Sequence, residues 1–170
     1  SIKVILNGLL PSTSTYGSSS TITAEHTIYT SLNEFADSIS NNYRYIGNKT
    51  FYIGDYPGKT SYLDIKDETL QSSVGLPTVG EMFSGNDIDV SLSDKKDFVD
   101  ENTIENSNVS NHFWMMNRSD SNKVYSINDY GYLEEVKTSE SYGIRPVMYL
   151  KSNLTFTGGN GTAQSPYTLK

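Results

Sequence analysis

The sequence contains no cysteine. Disulfide staples, thiolate catalysis and the common zinc sites are therefore excluded. Basic residues are few: 13 Lys and Arg stand against 20 Asp and Glu, a net charge of −7. No basic stripe is available to neutralise phosphates, so nucleic acid is not an expected partner, and an anionic membrane surface would repel the chain. Mean hydropathy is −0.49. With no long apolar run, no spanning helix and no membrane insertion by this stretch are expected. Histidine occurs twice, at His26 and His112. With no Ser or Cys beside them in sequence, neither a catalytic dyad nor a metal pair is expected.

What is present points towards strands and binding loops. Thirteen tyrosines accompany abundant Ser, Asn and Thr and little Ala or Leu, a balance that weakens helices and favours turns and caps. Tyrosine mixed with Ser, Asn and Gly also suits recognition surfaces, because Tyr brings large area with few rotors. The same composition is ordinary for β-rich extracellular proteins. The length of 170 residues suits a single domain over 1–170 with a real core. A loop-rich chain without cysteine fits a bacterial or phage surface protein, and the Ser1 start suggests an ectodomain freed of its leader or anchor.

Local patterns predict the elements. Ile2–Leu6 reads as a strand and Pro11–Ser20 as a loop. Leu32, Phe35, Ala36 and Ile39 share one face of a helix over Thr30–Asn41, capped by Thr30 or Ser31. Tyr43–Ile46 and Phe51–Ile53 suggest a hairpin closed by residues 47–50, and Tyr62–Ile65 another strand. Thr78-Val-Gly-Glu81 is a capping box that opens a short helix. Residues 86–110 read as a long polar excursion. His112–Met116, Lys123–Ile127, Tyr132–Val136 and Ile144–Leu150 complete the strands, with Asn128–Gly131 as the turn of a hairpin.

Four spaced elements carry a resemblance: Phe113-Trp114, the hairpin from Val124 to Leu133, Gly143-Ile-Arg-Pro-Val147, and Gly159-Asn-Gly-Thr162 with Pro166-Tyr167. In this order they resemble the C-terminal half of bacterial and phage C-type-lectin-like domains of Firmicute surface and prophage proteins. That fold is shared with formylglycine-generating enzymes and with the variable proteins of diversity-generating retroelements. Residues 74–81 resemble a mid-domain stretch of the same proteins, so the likeness spans residues 74–170. It implies an α+β, C-type-lectin-like fold: short helices on small twisted antiparallel sheets with long loops. Gly143 would permit a close or positive-φ approach, Pro146 would mark a bulge or edge, and Arg145 and Trp114 would serve the scaffold.

The resemblance also implies a site. Eleven of the sixteen residues 117–132 are Asn, Ser, Asp or Tyr, and in the retroelement variable proteins the matching region displays receptor contacts. Asn117, Arg118, Asp120, Asn122, Asp129, Tyr130 and Tyr132 would line that ligand-binding face. An ordinary polar turn has the same composition. No cofactor is expected. In the acidic tract from Glu81 to Glu105, Asp87 and Asp89 offer oxygen ligands for calcium, without EF-hand spacing and without the calcium-dependent sugar motifs of animal C-type lectins; a solvated charged loop is the competing reading. The formylglycine-generating relatives depend on cysteine and a metal site, so the enzyme branch is disfavoured. The expected function is non-catalytic recognition or adhesion at a cell surface or virion, with a glycan or a host or bacterial surface protein as partner. The alternative is a structural pilus (minor pilin) or coat subunit that self-assembles without an external ligand.

Overall fold

A computed structural model describes residues 2–6, 8–39, 45–53, 68–83, 112–162 and 164–170. Among them, five small antiparallel sheets and two short helices make an α+β arrangement. The strands are β1 (Lys3–Ile5), β2 (Ser14–Thr15), β3 (Lys49–Ile53), β4 (Glu68–Ser72), β5 (Val74–Gly75), β6 (Phe113–Asp120), β7 (Lys123–Ile127), β8 (Leu133–Lys137), β9 (Ser141–Tyr142), β10 (Val147–Tyr149), β11 (Phe156–Gly158) and β12 (Thr168–Leu169). The helices are α1 (Thr27–Ser38) and α2 (Val79–Phe83).

Helix α1 begins earlier than its sequence spacing predicts. Ile28, Leu32 and Ala36 are buried on one face, four residues apart, and this stripe extends the helix back to Thr27. Thr30 is thus inside the first turns, where its Oγ1 lies 3.4 Å from the His26 carbonyl oxygen. Phe35 and Ile39 are partly buried against the core. Helix α2 forms through its capping box: the Thr78 amide donates to Glu81 Oε2 at 3.0 Å, and the Glu81 amide donates to Thr78 Oγ1 at 3.2 Å.

Pairing departs from sequence order in three places. Strand β3 pairs with β4, Phe51 opposite Leu70, and Ile46 instead bridges Leu150. Of the hairpin expected over 43–53, residues 43–44 lie outside the described residues; among the described ones the inward alternation of Phe51 and Ile53 is matched by Leu70 and Ser72 rather than by Ile46. The Pro11–Ser20 loop contributes β2, which pairs with β9. The last buried strand is shorter than Ile144–Leu150, starting just after Pro146, whose missing amide cannot join a ladder. That strand, β10, is central, with β1 on one side and β5 on the other. The predicted strand at 62–65 and the excursion at 86–110 lie outside the described residues.

Strand β6 divides the core, because successive side chains point to opposite faces. Trp114 and Met116 join the larger cluster with Tyr16, Leu32, Phe51 and Leu76, whereas Phe113 and Met115 join Val79, Met82 and Ile127. Trp114 packs edge-on against Tyr16 and Tyr142. Arg145 is buried, with Nε donating to the Leu6 carbonyl oxygen at 3.0 Å and its guanidinium 5.6 Å from the Phe113 ring centroid. At Gly143 the requirement is space: a Cβ there would lie 2.9 Å from the His112 carbonyl oxygen.

Candidate functional site

The three strands β6, β7 and β8 form one meander, and its two turns receive the residues expected to bind. They sit at opposite ends of β7, whose five residues span about 16 Å at 3.3 Å per residue. The anticipated single face is therefore two separate surfaces.

Asn117 belongs to neither. It is 2 % exposed, and its Oδ1 accepts the Val79 amide at 2.8 Å. The side chain completes the N-terminus of α2, which has more orphan amides than its capping box satisfies. Asn117 is thus corrected from a ligand contact to a scaffold residue; it falls on the face of β6 that packs against this helix.

At the β6–β7 end, Asp120 Oδ1 accepts the Asn122 amide at 2.9 Å, closing the turn. The loop carrying Ser18 to Thr21 lies against it. The Ser20 amide donates to the Ser121 carbonyl at 3.2 Å, and the Thr138 amide donates to the Asn122 carbonyl at 3.0 Å. Thr138 in turn accepts the Tyr16 amide at 2.9 Å. Gly17 makes the bend, with φ of +149° and a hypothetical Cβ only 2.4 Å from the His26 ring. His26 is buried and props the loop from inside: Nδ1 accepts the Thr23 amide at 3.0 Å, and Nε2 lies 3.3 Å from Ser18 Oγ. This bonding needs a neutral ring, and burial holds the His26 pKa below the usual imidazole value, against the opposing charge of Glu25.

Arg118 crosses the floor of this region. Its Nη1 donates to Glu68 Oε1 at 2.7 Å and to Thr21 Oγ1 at 3.2 Å. A partly exposed ion pair of this kind contributes no more than about 1 kcal/mol, so its main effect is to fix the guanidinium. The result is an open cleft of about 460 Å³ lined by residues 19–21 and 118–121. Four serines, one threonine, an arginine and an aspartate line it, so it offers directional donors and acceptors and no aromatic platform.

At the β7–β8 end, Asn128 organises the turn. Its Oδ1 accepts the amides of Tyr130 and Tyr132, both at 3.0 Å, and Gly131 has φ of +82°. Asp129 and Tyr130 are exposed, and Tyr132 is half-buried with its ring 6.4 Å from that of Tyr130. Beneath them is a pair that sequence spacing conceals: His112 Nε2 lies 2.8 Å from Ser126 Oγ, and the imidazole stacks on Tyr142 with centroids 3.7 Å apart. Burial lowers the His112 pKa, opposed by Glu134, Asp129 and Glu140, whereas burial and the hydrogen bond to Glu140 push the Tyr142 phenol up to about 12. Ser126 is fully buried. A hydroxyl that no substrate reaches has a structural role, despite its histidine.

No group of three or more His, Asp or Glu side chains suited to a metal ion occurs among the described residues; Asp87 and Asp89 lie outside them. No helix among the described residues is long and apolar enough to cross a membrane. Comparison with protein-family models, with curated proteins and with solved structures finds no match to this chain.

Proposed function

We propose that this chain is a non-catalytic recognition domain of C-type-lectin-like fold, displayed at a bacterial cell surface or on a virion. Its ligand is a glycan or a surface protein, held in the cleft between residues 19–21 and 118–121. The observation that carries this reading is the immobilised Arg118: paired with Glu68 and Thr21, it meets a ligand without first paying ordering entropy. The surrounding hydroxyls match the hydrogen-bonding needs of a sugar or of peptide amides. The family likeness is supported by the small antiparallel sheets with two short helices, and by the placement of its signature residues. Trp114 and Arg145 lie in the core, and Gly143 is at a point of close approach.

The test is binding of the purified chain to a mixed glycan and matrix-protein array, with calcium and again with a chelator. The expected result is a specific signal lost in Ser121→Trp, an exposed position where the indole fills the cleft without touching the core. A signal that disappears with chelator shows that binding needs a divalent ion, and its survival in Asp87→Asn with Asp89→Asn then excludes that tract as the source. A blank array, or a signal indifferent to Ser121→Trp, rejects the cleft as the ligand site.

A second reading, a self-assembling pilus or coat subunit, is favoured by one observation: the exposed aromatic hairpin formed by β11 and β12.

A further inference from the structure

Three of the five large exposed apolar side chains among the described residues, Ile2, Phe156 and Tyr167, lie at one place. Phe156 and Tyr167, 57 % and 56 % exposed, stack across β11 and β12 with ring centroids 4.9 Å apart. Ile2, 54 % exposed, lines with Phe156, Leu150, Leu154 and Leu169 a cavity of about 150 Å³. All of β11 is exposed. A two-stranded hairpin with so little covered is marginal in water and gains from a surface to lie on.

Charge selects the surface. Residues 141–170 hold Arg145, Lys151 and Lys170 and no acidic residue; the other ten basic and all twenty acidic residues precede them. With Arg145 buried, the hairpin region presents aromatic rings beside two lysines. The turn between β7 and β8 offers the complement. Tyr130, 72 % exposed, is the most exposed large apolar side chain among the described residues, and the carboxylates of Asp129, Glu134 and Glu140 all act on the adjacent His112. Glu134 and Glu135 are both exposed on the neighbouring edge strand β8, Glu134 accepting from Asn128 Nδ2 and Glu135 from the Tyr125 hydroxyl.

We propose that the β11–β12 hairpin of one copy docks on the Tyr130 turn of a second copy, head to tail. Aromatic side chains at the centre of the contact supply the burial, and lysines meeting carboxylates at its rim set the orientation. The two surfaces are different patches, so the contact is heterologous and propagates into a ring or a filament. It is independent of whether the cleft at Arg118 holds a ligand.

The experiment is sedimentation of the full chain over a concentration series, at low and at high salt. The expected result is reversible, concentration-dependent association that weakens with salt. Reversal of the hairpin charge (Lys151→Glu with Lys170→Glu) is expected to weaken association by about tenfold or more, as is reversal at the turn (Glu134→Lys with Glu135→Lys). An equimolar mixture of the two variants restores it, because each reversed hairpin then meets a reversed turn. All four substitutions are at exposed positions, and circular dichroism confirms that each variant is folded. A chain that stays monomeric throughout overturns the proposal. So does association lost on reversal at the hairpin yet unaffected at the turn, which would set hairpin against hairpin.

Discussion

The indole Nε1 of Trp114 donates to the carbonyl oxygen of Ser14 at 2.8 Å, across a sequence separation of 100 residues. The bond fastens β2 to the strand that divides the core, and both partners are buried.

Trp114→Phe removes this bond and part of the ring packed edge-on against Tyr16 and Tyr142. The lost volume and the orphaned carbonyl together should cost about 3 kcal/mol. Denaturant unfolding, followed by far-UV circular dichroism, should show an earlier midpoint; an unchanged midpoint would deny the tryptophan its role as the central packing residue.

Helix α2 is held by two independent devices, and they should separate energetically. Thr78→Ala removes one arm of the capping box and should cost about 1 kcal/mol. Asn117→Ala leaves the Val79 amide unpaired in a buried setting and should cost about 1–3 kcal/mol. Ligand binding at the cleft should survive Asn117→Ala once the loss of stability is allowed for. A selective loss of binding in a folded Asn117→Ala protein would return this residue to the ligand site.

Stability should fall on mild acidification. Burial lowers the pKa of both His26 and His112, so the folded rings stay neutral where those of the unfolded chain, at about 6.5, already bind protons. The unfolded state then holds more protons, and stability rises with pH across that interval. The two sites cost nothing well above about pH 6.5 and progressively more as pH drops through the lower folded values. Thermal unfolding from about pH 7.5 to about 5.5 should trace this decline, and His26→Gln with His112→Gln should flatten it. An equal slope in the double variant would assign the effect to other groups.

Gly17→Ala should loosen the cleft from behind. Its φ of +149° disfavours a side chain, and the new methyl would press into the His26 ring. The cost should exceed about 1 kcal/mol. Faster amide hydrogen exchange should appear at Ser20 and Thr23, whose amides donate to the Ser121 carbonyl and to the His26 ring, and exchange unchanged at both would contradict this account.

Features fixed by near neighbours were legible in the sequence. The capping box at Thr78 and Glu81, the stripe of α1 and the turn at Asn128–Gly131 each depend on residues a few positions apart. Long-range pairing was not. Nothing local distinguishes Ile46 from Leu70 as the neighbour of Phe51, because both are single branched apolar residues in short runs that read as strand. The candidate site was legible only in part. The strand Lys123–Ile127 is predicted within the run of Asn, Ser, Asp and Tyr, but that composition does not tell which of the two turns it separates would meet a ligand. Asn117 has the composition of a surface residue and the position of a core one. The His112–Ser126 contact arises from the register of β6 against β7, which sequence spacing does not encode.

The placement of β10 has a consequence for synthesis. Its partners β1 and β5 flank it on either side, so the middle of that sheet is supplied by residues 147–149, long after its edges have been made. A ribosome releases the chain from the N-terminus onwards. Residues 3–5 must therefore wait for their partner strand until residues 147–149 have emerged, and such distant closure is intrinsically slow. The edges of the sheet and its middle are thus separated in time as well as in sequence.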